Sequence, residues 1–147
     1  MKISTTLILI TCLFFAGIIN ASAQSRDFDG IWTGRLTADD GESFSLTLYI
    51  EDNIVFSVTT NDAGDRVKVL SRDVSWSKGI GEQLTFIWMN TGGVWTETQM
   101  HSLVWRNENE LSIYHYRHVS NKSDSFDGNT DWGYASKGLL VKEGHHH

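Results

Sequence analysis

Five residues of the chain have side chains suited to binding or proton chemistry and a regular spacing: Glu97, Gln99 and His101 in one stretch, His115 and Arg117 in the next. They supply a carboxylate, an amide, two imidazoles that titrate near neutral pH and a guanidinium whose planar fork matches carboxylate or phosphate. Each pair is separated by two residues, the period at which side chains of a β-strand return to the same face.

Two turns set how these residues face one another. Thr91-Gly92-Gly93-Val94 reads as a two-residue Gly-Gly hairpin, the kind favoured by strand twist. Pairing Thr91 with Val94 places Trp88 opposite Glu97, Phe86 opposite Gln99 and Leu84 opposite His101. Taking Asn107-Glu108-Asn109 as the next loop pairs Arg106 with Glu110. Trp105 then faces Leu111, Leu103 faces Ile113, His101 faces His115, Gln99 faces Arg117 and Glu97 faces Val119. Both registers put Leu84, Phe86, Trp88, Trp95, Leu103 and Trp105 on one face, which is therefore the interior; a slip of one residue would reverse every assignment on a strand.

The same inner face carries the five polar residues. A buried polar group without a partner costs about 1 to 3 kcal/mol, so five together imply an internal network or a wet cavity that takes a ligand. The expected ligand-binding set is Trp88, Trp95, Glu97, Gln99, His101, Trp105, His115 and Arg117, an apolar wall with a few convergent polar groups. The alternative is a structural Glu97–Arg117 ion pair with both histidines satisfied in the core.

Other chemistries fit less well. His101, His115 and Glu97 are acceptable zinc ligands in type, but they lack the tight spacing of zinc motifs, and no metal or other cofactor is expected. Asp127-Gly128-Asn129-Thr130-Asp131 opens like a calcium loop, yet Trp132 stands where the EF-hand needs glycine and no closing glutamate follows. No Gly-x-Ser-x-Gly elbow, cysteine nucleophile or phosphate-cradling glycine loop marks an enzyme.

The positioning elements are strands. Phe44, Leu46, Leu48 and Ile50 alternate with polar residues, and after Glu51-Asp52-Asn53 the alternation resumes at Ile54, Phe56 and Val58. Strands are expected at 31–37, 44–50, 54–58, 66–76, 83–90, 94–106, 110–120 and 132–141, with turns at Asn61-Asp62-Ala63-Gly64-Asp65 and Lys78-Gly79-Ile80-Gly81. No window shows a helical stripe. Eight sequential strands with short turns suit an all-β, antiparallel up-and-down barrel, since closure removes exposed edges; a two-sheet sandwich is the runner-up. Trp32, Leu46, Phe86, Trp88, Leu103 and Trp105 are expected among the buried residues.

Residues 1–23 have the parts of a secretory signal peptide: Lys2, an apolar stretch from Leu7 to Ile19, and Ala21-Ser22-Ala23 before the expected cleavage at Gln24. The stretch is shorter than the roughly 20 residues needed to span a bilayer, so the mature form is expected to be secreted or periplasmic with no membrane span. The single cysteine, Cys12, leaves with that segment, and a core must do the work of disulfides. Residues 24–143 read as one domain, and 144–147 as the remnant of a purification tag. The leader carries one lysine and no acid, so its removal takes the formal charge from −6 to −7, against nucleic acid or anionic membrane as partner.

Gly30-Ile31-Trp32 at the start of the first strand resembles the Gly-x-Trp signature of lipocalins and related calycin barrels, the avidin-like group included. The resemblance implies a tryptophan plugging the closed end and a small amphipathic or apolar ligand in the barrel. The lipocalin Thr-Asp-Tyr motif is replaced by Asn107-Glu108-Asn109 and no C-terminal helix pattern follows, so the likeness is to a calycin-type barrel in the broad sense. A rival function is an exported interaction or inhibitor module that meets a protein partner through the polar 121–131 loop, which includes Phe126.

Overall fold

The computed structural model describes residues 26–70, 72–122 and 130–144. Nine strands appear in order: β1 (Gly30–Ala38), β2 (Ser43–Glu51), β3 (Ile54–Thr60), β4 (Arg66–Val69), β5 (Val74–Ile80), β6 (Gln83–Gly92), β7 (Trp95–Asn107), β8 (Glu110–Asn121) and β9 (Thr130–Lys142). Among the described residues there is no helix. All nine join one antiparallel up-and-down sheet in the order β4-β3-β2-β1-β9-β8-β7-β6-β5. The sheet curls into an open barrel, with no ladder between β4 and β5.

The expected count was eight closed strands, and the difference lies in the stretch 66–76. Since every ladder is antiparallel, β4 and β5 both run opposite to β1 and hence in the same sense. They are two halves of the one strand expected there, interrupted between Val69 and Val74. The first half pairs with β3, Ser57 opposite Val69, and the second with β6, Val74 opposite Met89. Asp73 fixes the break by accepting hydrogen bonds from the backbone N–H and hydroxyl of Thr91. Arg72 reaches back to donate to Ser57 Oγ at 3.4 Å and lies 4.9 Å over the Trp88 ring. Lys78 to Ile80, expected in a turn, belong to β5, and the chain turns at Gly81-Glu82.

The β7–β8 register is the expected one from Glu97↔Val119 to Trp105↔Leu111, and then a bulge pairs Asn107, in place of Arg106, with Glu110. The β6–β7 hairpin turns at Gly93-Val94, one residue later than the Gly-Gly reading. Trp88 therefore faces Gln99, Phe86 faces His101 and Leu84 faces Leu103. Trp95 explains the shift: its indole lies against Gly92, where a Cβ would come within 2.4 Å of Nε1. Because partners move by two residues, every side chain keeps its face.

The interior is graded along its axis. At one end Phe28, Trp32, Leu48, Ile50, Leu111 and Leu140 are almost completely buried. Trp32 donates its indole N–H to the Phe28 carbonyl at 2.7 Å, and Trp105 meets both rings edge-on at 5.7 and 6.4 Å. Trp32, Phe86, Trp88 and Leu103 are buried as expected, while Leu46 and Trp105 are partly buried against the core. Toward the other end the inner positions become polar, and there the candidate site lies.

Candidate functional site

A ladder of rings crosses the inner face. Phe86 on β6 stacks on His101 of β7 at 4.2 Å and 6° between planes, and His101 stacks on His115 of β8 at 4.5 Å and 23°. The row follows from register, since Phe86↔His101 and His101↔His115 are direct cross-strand partners. His115 Nδ1 lies 2.9 Å from Ser136 Oγ of β9, its next partner along the row. Both imidazoles are buried. Burial holds the His101 pKa well below its usual value, helped by the nearby His115 and Arg72. Burial likewise pushes His115 down to about 4, with Arg117 adding to the effect and Glu97 partly opposing it. Both rings are therefore neutral at pH 7.

One row further from the apolar end lies an ionic network. Arg117 Nε donates to Glu97 Oε1 at 2.8 Å, and Gln99 Nε2 donates to the same oxygen. The guanidinium also bonds Tyr134 and lies 5.1 Å over the Trp132 ring. Burial works against the Arg117 cation, but its bonds to Glu97 and Tyr134 outweigh this and raise its pKa. The expected Glu97–Gln99–Arg117 grouping thus exists, and its carboxylate and guanidinium satisfy each other.

Three buried polar atoms in this region have no hydrogen-bond partner in the protein: Trp88 Nε1, His101 Nδ1 and His115 Nε2. They belong to neighbouring rings, Trp88 to His101 being 5.2 Å between centroids. Phe44 and Tyr134 pack edge-on against His115 at 5.9 and 5.8 Å. A cavity of about 430 Å³ opens at the mouth of the barrel, lined by Phe44, Arg117, Trp132 and Tyr134 with Asp40 and Glu42 at its rim; Phe44 and Tyr134 separate it from His115.

The structure brings together Trp88, Glu97, Gln99, His101, His115 and Arg117 of the expected set. It separates Trp105, which packs with Phe28 and Trp32 at the apolar end, and leaves Trp95 partly exposed over the Gly92 hairpin. Phe44, Ser136, Tyr134, Trp132 and Arg72 were not foreseen. The two hairpin turns legible in the sequence connect only β6, β7 and β8; nothing comparable sets the register of β9 against β8, and Arg72 enters through an interruption that no pattern marks.

No family model, curated protein or solved structure matches this chain.

The site's character therefore rests on its own geometry. Among the described residues no group of three or more His, Cys, Asp or Glu side chains is placed to hold a metal ion, and no helix is long and apolar enough to cross a membrane. Residues 1–23 and Phe126 lie outside the described residues.

Proposed function

We propose that the chain is an exported, calycin-like binding protein that takes a small amphipathic ligand through the mouth of its open barrel. The observation that carries this reading is the set of three partnerless buried atoms, Trp88 Nε1, His101 Nδ1 and His115 Nε2, on adjacent inner rings. Buried polar atoms in folded proteins are nearly always paired with protein, water or ligand, and His115 is reached from the mouth cavity through Phe44 and Tyr134, which line that cavity and pack on the His115 ring. An apolar wall with a few convergent polar groups is the usual form of a small-molecule site. The neutral imidazoles and the Trp88 N–H offer hydrogen bonds without adding charge, so the ligand's polar group meets them while its apolar part packs among Phe44, Trp88 and Trp132. Arg117, already paired with Glu97, stands at the entrance; an anionic ligand gains from it by taking that partner's place. Export rests on the leader-like residues 1–23.

Tryptophan fluorescence titration of the mature protein with fatty acids, bile-acid-like steroids and tetrapyrroles tests the reading. Saturable quenching that weakens in a His101→Phe variant of unchanged circular dichroism supports it. Absence of binding by every compound, with His101→Phe less stable than the parent, would show that the inner polar face is structural.

A further inference from the structure

The outer face of β5–β9 carries a second concavity, back to back with the inner site. Two cross-strand rows form it. One runs Trp76, Ile87, Met100, Tyr116, Ala135, and the next runs Lys78, Thr85, Ser102, Tyr114, Lys137. In the second row the short Thr85 and Ser102 lie between longer side chains, so the surface dips there. The hollow of about 470 Å³ over Thr85, Ser102 and Tyr114 shares Gln83 and Thr85 with a neighbouring one of about 350 Å³ beside Trp76. Together they make a trough across five strands, about 19 Å long at the usual strand spacing of roughly 4.8 Å.

Its walls and floor differ in chemistry. Trp76, Tyr114, Tyr116 and Met100 are 49%, 56%, 42% and 43% exposed on the flanks. The floor is neutral and polar: Gln83 Nε2 donates to Ser102 Oγ at 2.7 Å, with Thr85 beside it. Hydroxyl groups both donate and accept, and so can serve a ligand that does the same. Apolar side chains make up most of the lining, and Thr85, Ser102 and Gln83 add hydroxyl and amide groups along its floor, a mixture suited to a ligand with both apolar faces and hydroxyls.

We propose that this trough binds an extended glycan. A sugar ring presents apolar C–H faces to Tyr and Trp and a rim of hydroxyls to Thr85, Ser102 and Gln83, and the trough's length suits a chain in preference to a single ring. Lys78 and Lys137 stand toward its two ends and Asp39 also lines the hollow, so the charges around it do not choose between a neutral and a uronate-bearing chain. The site lies on the opposite face of the sheet from His101 and His115, and the proposal does not depend on the inner one.

Calorimetric titration of the intact protein with hexasaccharides of glucose, xylose, N-acetylglucosamine and galacturonate provides the test. At least one is expected to bind, with Trp76→Ala and Tyr114→Ala each weakening it about tenfold, the scale of a lost aromatic contact, and with Arg117→Ala unchanged. Both aromatic positions are exposed, so circular dichroism of the variants is expected to match the parent. Three results would overturn the proposal: no binding by any of the four, binding that survives both substitutions, or a concentration-dependent dimer abolished by Tyr114→Ala, which would make the trough a contact between copies of this chain.

Discussion

His101 and His115 stack inside the barrel with ring centroids 4.5 Å apart, and both are held in their neutral form. Two imidazolium ions could not share this arrangement, because burial and mutual repulsion both oppose charge.

Stability is therefore expected to depend on pH. In the unfolded chain each histidine takes up a proton near pH 6.5, whereas folded His115 resists until about pH 4 and folded His101 is also depressed. The unfolded state thus binds more protons as pH falls below 6.5, and folding stability drops. We expect urea unfolding to show a loss of about 2 kcal/mol for each strongly depressed histidine, roughly 2 to 4 kcal/mol in all, between pH 7 and pH 5. His101→Phe, which preserves the ring stack on Phe86 and His115, is expected to flatten part of that slope. An equal slope in parent and variant would remove His101 as its source.

Arg117→Ala leaves the Glu97 carboxylate, only 11% exposed, with Gln99 as its remaining partner. Because the Arg117 side chain is itself 32% exposed, the cost is expected below the range for a fully buried pair, at about 1 to 3 kcal/mol in chemical denaturation. Glu97→Gln in the Arg117→Ala background is expected to recover part of the loss, and additive effects would argue against a functional coupling between the two.

Gly34 and Gly138 allow β1 and β9 to pack closely. A Cβ on Gly34 would lie 1.9 Å from the Leu139 carbonyl oxygen, and one on Gly138 would lie 2.2 Å from that of Arg35. Both obstacles are backbone and cannot swing aside. Gly34→Ala is expected to lower the thermal midpoint by an amount equivalent to about 1 to 3 kcal/mol, the range for overpacking; Gly41→Ala, which meets nothing in space but has φ +90, separates this steric cost from backbone strain.

Trp32→Ala removes a fully buried ring and the donor to the Phe28 carbonyl. A loss of about 3 to 5 kcal/mol is expected in urea unfolding, with the β-sheet signal of the remaining folded protein unchanged. A much smaller cost would mean that Phe28 and Trp105 collapse into the space.

Much of this architecture was legible because a strand's period of two is strict. The alternation at Phe44–Ile50 and the run Glu97, Gln99, His101 assigned faces correctly even where the Gly92-Gly93 turn was misplaced, since a shift of two residues leaves each side chain on its own side. What could not be read was set by contacts remote in sequence. Ser136 and Tyr134 reach the site through the β8–β9 ladder, whose connecting segment 122–129 is too long for a turn type to fix the register, and the 66–76 strand divides because its halves find different neighbours, β3 and β6. Trp105 shares the inner face of Glu97, as expected, but position along the axis separates them, and alternation says nothing about position along an axis.

The interrupted strand also bears on the order in which the chain assembles. Read from β5 through β9 and then from β1 to β4, the sheet is a plain meander, so its free edges fall in mid-sequence and the one ladder between distant segments is β1 with β9. Thr33 and Glu143, which hydrogen-bond across that junction, are 110 residues apart. Closing so long a loop costs entropy before its contacts repay it, so the β5–β9 and β1–β4 halves are expected to form as separate meanders whose docking along β1–β9 limits the folding rate.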